Sequence, residues 1–114
     1  MNKTSKGNRR ELEARKMLAE KGYLVEKKNS SRWESNDFFK LFDVWALDKG
    51  LGTTRLIQIK SNKTDFYKAR LGIELWAINE YVDSNKISLE VWLKENRTPW
   101  RKEILTNGTW RETN

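Results

Sequence analysis

The sequence predicts an α/β domain in which a mixed sheet of four to six strands is flanked by two helices. Two segments repeat apolar residues at helical spacing, several others show the dense or alternating apolar pattern of strands, and the two kinds alternate along the chain. A length of 114 residues suits one small domain, 1–114, built on one core. Charged residues make up 34% of it, yet 6 Trp, 4 Phe and 3 Tyr are too many large rings for a chain that stays unfolded.

The first helix is predicted from Lys6 to Gly22, with Ser5 as its cap and Gly22 as its stop. Glu11, Ala14 and Leu18 share one stripe. Ala14, Met17 and Leu18 must face the core, so Glu11 points inward at the helix's open end, whereas Glu13 lies with Lys16 and Glu20 on the wet face. Tyr23 to Lys28 reads as a short strand, and the polar run NSSRWESND after it as a loop.

Leu41 to Leu47 is apolar except for Asp43, and Leu56 to Ser61 is apolar except for Gln58 and Lys60; both read as central strands. The intervening DKGLGTT places two glycines at a turn, which predicts an antiparallel hairpin. Gln58 and Lys60 then project to one side of the sheet, and a simple register sets Asp43 beside them.

Arg70 to Val82 is helical in period, with Leu71, Leu75, Ile78 and Val82 on one stripe and Trp76 and Tyr81 broadening it beyond what one small core requires. Ile87 to Leu93 alternates as a strand with Ile87, Leu89, Val91 and Leu93 inward and Ser88, Glu90, Trp92 and Lys94 on a wet face. Pro99 breaks the chain, and Trp100–Leu105 and Thr109–Glu112 flank Asn107-Gly108, the dipeptide of a tight hairpin turn. Trp45 and Trp76, in apolar segments, read as core or interface, and Trp33 is the ring in the basic loop.

Composition narrows the chemistry. With no cysteine and no histidine, disulfides, a structural zinc, a Ser-His-Asp or Cys-His pair and imidazole acid–base catalysis are excluded. A metal here must sit on oxygen ligands. There is no run of ~20 apolar residues to cross a bilayer and no apolar secretory leader, so a soluble, cytoplasmic protein is expected. The net charge of +7 is concentrated: residues 1 to 32 hold ten basic side chains against four acidic ones, and the rest balance at 13 against 12. Such a field favours a polyanion, with nucleic acid the natural partner; a solubilising surface or a segment for anionic lipid are the alternatives.

An aspartate, a glutamine and a lysine inside two apolar strands must compensate one another or hold an ion, because each uncompensated buried polar group costs about 1–3 kcal/mol. One reading is a buried Asp43–Lys60 salt bridge with Gln58 as a hydrogen-bond partner. Glu11 brings a second carboxylate from another element. Two carboxylates beside a lysine suit a divalent cation better than they suit a structural pair. Phosphodiester hydrolysis needs a metal to neutralise the phosphate and acidify a water, and a cation to orient that water.

These residues resemble a family. Glu11 on a helix, Asp43 on a strand and Gln58-Ile59-Lys60 on the next are similar to the PD-(D/E)xK nuclease superfamily. Within it, KGNRRELEARKMLAEKGYLV resembles the opening of the archaeal and viral Holliday junction resolvases, and the likeness spans about residues 5 to 62. The resemblance implies a restriction-endonuclease-like fold and a magnesium-dependent DNA endonuclease, manganese being able to substitute, that cuts four-way junctions as a homodimer.

It also implies roles for particular positions. Asp43 would be the central metal ligand, Glu11 would bind the metal directly or through water, and the Ile59 carbonyl would complete the inner shell. Lys60 would position or activate the attacking water. Ser30 and Ser31 match a serine-bearing loop near the scissile phosphate, and Lys6, Arg9, Arg10, Arg32 and Lys63 would hold flanking phosphates. The wide apolar helix after the lysine strand is the expected dimer seam.

Two positions depart from the pattern. Gln58 stands where most of the superfamily has a carboxylate; it keeps one carbonyl oxygen but removes a negative charge from the metal shell, which lowers metal affinity. Similar glutamine variants occur among Mrr-like nucleases. Phe42 occupies the place of the motif's proline, and Asp37 competes with Asp43 for the aspartate position but reads as loop. The alternatives are an Mrr-like nuclease acting on branched, nicked or linear duplex, and an inactive DNA-binding module of the same fold.

Overall fold

A glycine and a tight turn organise the first half of the chain. In the computed structural model, which describes residues 3–27, 37–39 and 41–113, helix α1 (Lys3–Glu20) ends two residues before Gly22, whose φ of 94° reverses the chain into strand β1 (Tyr23–Lys27). Ser5 lies inside α1 rather than capping it: lysine and threonine ahead of it carry helix costs of only a few tenths of a kcal/mol, about what a serine costs, so the helix runs on past it. Lys28, the expected end of the strand, lies outside the described residues, as does Trp33.

Strand β2 (Val44–Asp48) starts three residues later than the apolar run predicts. Residues Phe38 and Phe42 close a tight reverse turn, exchanging backbone hydrogen bonds of 2.8 and 2.9 Å across Phe39 at φ 55°. The apolar side chains there serve packing rather than strand: Phe42 is fully buried against the second helix and meets Trp76 edge-on at 5.3 Å. β2 then pairs antiparallel with β3 (Thr54–Lys60), as expected from the two glycines between them. Asp48 Oδ1 accepts from the Gly50 and Leu51 amides at 2.9 and 3.1 Å and shapes that turn.

The second helix, α2 (Lys63–Asn79), begins seven residues before the predicted Arg70. Asn62 caps it, its side-chain oxygen accepting from the Asp65 amide at 2.9 Å while its amide nitrogen donates to the Asp65 carboxylate at 2.9 Å. The core face is also different. Phe66, Ala69, Ile73 and Ala77 are buried, whereas Leu71, Leu75 and Ile78 are 57, 53 and 70% exposed. Only Val82 and Trp76 of the predicted set are packed against the core.

α2 carries the chain across to β4 (Ile87–Leu93), which lies parallel to β3, and β5 (Arg101–Thr106) and β6 (Thr109–Thr113) complete an antiparallel hairpin turning at Asn107 and Gly108, both left-handed. The sheet therefore runs β1-β2-β3-β4-β5-β6 in sequence order, mixed and six-stranded, with a helix on each face. Under α1 lie Val44, Ala46, Ile57, Ile59 and Trp92; under α2 lie Phe42, Leu56, Leu89, Val91 and Leu105.

Strand β4 corrects one expectation. Its second face is not wet: Glu90 is 0% exposed and Trp92 is buried in the cluster beneath α1. A strand with neighbours on both edges, α2 over one side and the cluster of Ala14, Leu18 and Trp92 on the other has no free face, so its polar residues must be paired. Glu90 is paired fully. It accepts two bonds from Arg55 at 2.7 and 2.8 Å, one from Ser88 at 2.7 Å and one from the Trp92 indole at 2.9 Å.

Candidate active site

The end of the sheet where β3 and β4 finish gathers the polar residues that the strand pattern singled out. Asp43 sits one residue before β2, and its amide donates to the Ile57 carbonyl at 2.9 Å, so the ladder already holds its backbone. Continuing the register Val44↔Ile57 by one residue sets Asp43 opposite Gln58, as expected. Its carboxylate Oδ2 accepts from the Ile59 amide at 2.7 Å, which fixes the side chain across the strand gap although the residue is only 9% exposed. Asp37 lies outside the strands.

Gln58 and Lys60 follow on β3, on the same face and partly buried, with Ile59 buried between them. Gln58 Oε1 is buried and has no hydrogen-bond partner among the described residues. An acceptor left this way costs about 1–3 kcal/mol, which makes it a misfit in a purely structural site. Lys60 closes the strand; its carbonyl accepts from the Lys94 amide at 3.0 Å, which ties the end of β3 to the loop leaving β4.

Glu11 comes from α1, which packs on β1, β2 and β3. The preceding residue places its turn. Arg10 Nη2 donates to Asn96 Oδ1 at 3.2 Å, in the same loop that Lys60 anchors, so the Arg10–Glu11 turn belongs to the strand-end region. Glu11 is partly buried, at the start of the stripe that Ala14 and Leu18 continue against the sheet. Arg10, on the other side of the same stripe, is more deeply buried and joins Ala14 and Leu18 against the sheet.

The expected phosphate contacts fall into three groups. Arg9 and Lys63 are exposed, the second in the first turn of α2 just beyond the lysine strand. Arg10 is placed differently from an outward phosphate contact: it is 7% exposed and its guanidinium is engaged by Glu13 and Asn96, because its position on α1 faces the sheet. Ser30, Ser31 and Arg32 lie outside the described residues, as does the side chain of Lys6.

The donor set decides what the site could hold. Among the described residues no cluster of three acidic side chains exists. Two carboxylates, Glu11 and Asp43, and the orphaned Gln58 oxygen nevertheless offer oxygen ligands only, the type that a magnesium or manganese ion takes. In donor type the set suits such an ion, with less negative charge than three carboxylates would supply.

The perturbed basic groups lie elsewhere. Burial opposes the charge on Arg55, but the paired Glu90 carboxylate outweighs it and raises the pKa. A hydrogen bond from Arg101 to Glu103 likewise raises that guanidinium. Burial, then the Lys21 and Arg55 charges, push the Lys102 ammonium down against the pull of Glu90, and it rests 4.4 Å over the Trp92 ring. Sequence patterning assigned Arg10 to a flanking phosphate and Glu90 to a wet face, and it gave Asn96 no role. An arginine four residues before Ala14 was the available sign for the first; the loop position of Asn96 gave none.

A helix, a three-strand antiparallel run, a crossover helix and a parallel fourth strand, with polar residues at the strand ends, define an α/β nuclease-like fold. Among solved structures it is similar to Hjc, a Holliday junction resolvase from the archaeal hyperthermophile Archaeoglobus fulgidus, with a TM-score of 0.52 and 20% identity over 85% of this chain and 70% of that one. No protein-family model matches the sequence, and no curated protein does.

Proposed function

We propose that this chain is a metal-dependent, structure-selective DNA endonuclease that resolves four-way junctions as a homodimer. The observation that carries the proposal is the buried Gln58 oxygen without a partner among the described residues, on the strand that Asp43 braces and Lys60 ends, in a nuclease-like fold. A bound magnesium ion, or manganese in its place, supplies charge neutralisation of the phosphate and an acidified water.

The side chains divide the work. Asp43 is the central ligand, held ready by the Ile59 amide; Glu11 binds directly or through water; Gln58 and the Ile59 carbonyl complete the shell. Lys60 orients the attacking water and balances the negative charge that builds on the phosphate. Ser30 and Ser31 would contact the scissile phosphate. Arg9, Lys63, Lys6 and Arg32 hold flanking phosphates by charge, so binding weakens as salt rises. Such an enzyme works in the cytoplasm, where DNA and magnesium meet; no described helix is long and apolar enough to cross a membrane.

Two-fold action draws support from α2. Leu71, Leu75 and Ile78 form an exposed apolar stripe opposite the helix's own core face, and with Tyr81, Leu105 and Gly108 they line a groove beside the β5–β6 hairpin. An exposed apolar stripe that runs into a groove is a surface that a two-fold contact can bury.

Gln58 also favours a second reading, an inactive DNA-binding module that has lost its metal. Incubating the chain with junction, nicked and linear DNA in magnesium or manganese, beside Asp43→Asn, separates them. Metal-dependent cutting that the variant lacks supports the nuclease, cutting of linear duplex as well points to an Mrr-like enzyme, and tight binding without cutting supports the module.

A further inference from the structure

A buried arginine occupies the sheet-facing stripe of α1 at the one turn that also carries Glu11. Arg10 is 7% exposed, where Ala14 and Leu18 on the same stripe are apolar. Its Nη1 donates to Glu13 Oε1 at 3.1 Å and its Nη2 to Asn96 Oδ1 at 3.2 Å. These partners lie in different directions, which a planar guanidinium can serve together and an ammonium on a flexible stem cannot hold in the same fixed geometry. Nε is buried and has no partner among the described residues. Retaining an arginine with one unsatisfied donor is costly for a purely structural role, where an apolar residue would pack without penalty.

The Asn96 end of the bond is braced. Lys94 Nζ donates to the Glu95 carbonyl at 3.3 Å and to that of Thr98, the Thr98 hydroxyl donates to the Glu95 carbonyl at 3.0 Å, and the Lys94 amide donates to the Lys60 carbonyl at 3.0 Å. One guanidinium therefore links the Glu11 turn of α1 to a loop fixed on the last residue of β3. Because a helical turn is rigid, holding Arg10 sets the direction in which Glu11 leaves the helix.

We propose that Arg10 is a positioning residue which, through Asn96, holds Glu11 in place for a divalent cation shared with Asp43 and Gln58. The inference rests on the metal site proposed above. It makes Arg10 an internal strut rather than a phosphate contact and gives the β4–β5 loop a part in the site.

The test is calorimetric titration of Mn2+ alone into the wild-type chain, Arg10→Met, Asn96→Ala, Asn96→Asp and the double variant Arg10→Met/Asn96→Ala, with thermal unfolding of each. Asn96 is exposed, so Asn96→Ala keeps the fold even if Arg10→Met does not. Removing the support of a metal ligand typically weakens binding about 10- to 100-fold, and both single variants are expected in that range. The double variant should lose no more than Arg10→Met, since one interaction is removed twice, and Asn96→Asp should retain near wild-type affinity. Unchanged Mn2+ affinity in both single variants, whatever their melting temperatures, overturns the inference alone. A wild-type chain that binds no Mn2+ overturns the metal site and this inference with it.

Discussion

Gln58 is the residue on which the proposed chemistry turns. Its buried oxygen has no donor among the described residues, so Gln58→Glu should separate the two states of the site. Without metal the new carboxylate is a desolvated charge beside Asp43 and lowers the melting temperature; with excess magnesium it adds a ligand charge, tightens binding and reverses the sign. Thermal unfolding with and without magnesium checks this. The Asp43, Gln58 and Lys60 set was legible in the sequence because polar residues stand out in apolar strands. Glu90 was hidden by the opposite circumstance: alternation in Ile87–Leu93 has the same appearance whether the polar face meets water or a buried arginine. Arg55→Met, which strands that fully buried carboxylate, should cost about 3–5 kcal/mol in denaturant unfolding. Lys102 adds a pH dependence. Its proton is held less tightly in the folded chain than in the unfolded one, so stability should rise as pH climbs through the folded value toward the usual lysine range, and Lys102→Met should flatten that rise.

Elements were legible in kind and less so in extent. Both helices, the central hairpin and the C-terminal hairpin follow from periodicity and turn residues, whereas α2 begins earlier because Asn62 and Asp65 cap each other, a signal that sits outside the apolar pattern. Asn62→Ala should cost about 1 kcal/mol of stability with the fold retained, read in urea unfolding. The helix has two apolar stripes, and sequence alone does not rank them. The stripe of smaller and aromatic residues, Phe66, Ala69, Ile73 and Ala77, fits close to the sheet, and the leucine stripe is left outside. If that outer stripe is the dimer seam, Ile78→Lys should leave unfolding of the monomer nearly unchanged and convert the chain to monomer in sedimentation equilibrium. A wild-type chain that sediments as monomer at micromolar concentration contradicts the seam.

At the scale of the whole molecule, a mixed six-stranded sheet with a helix on each face delivers its polar residues to one strand-end region, and a net charge of +7 makes phosphate the natural counterpart. The fold class was readable because α/β alternation is a property of the entire sequence; the bond from Arg10 to the β4–β5 loop was not, since a loop residue such as Asn96 acquires meaning only from what folds against it. The most direct measurement is cleavage of an end-labelled four-way junction and a linear duplex of matched sequence, in magnesium, by the wild-type chain and Asp43→Asn. Paired, symmetric cuts in the junction alone, absent from the variant, are the predicted result. Binding to the junction with no cut in magnesium or manganese would contradict the account.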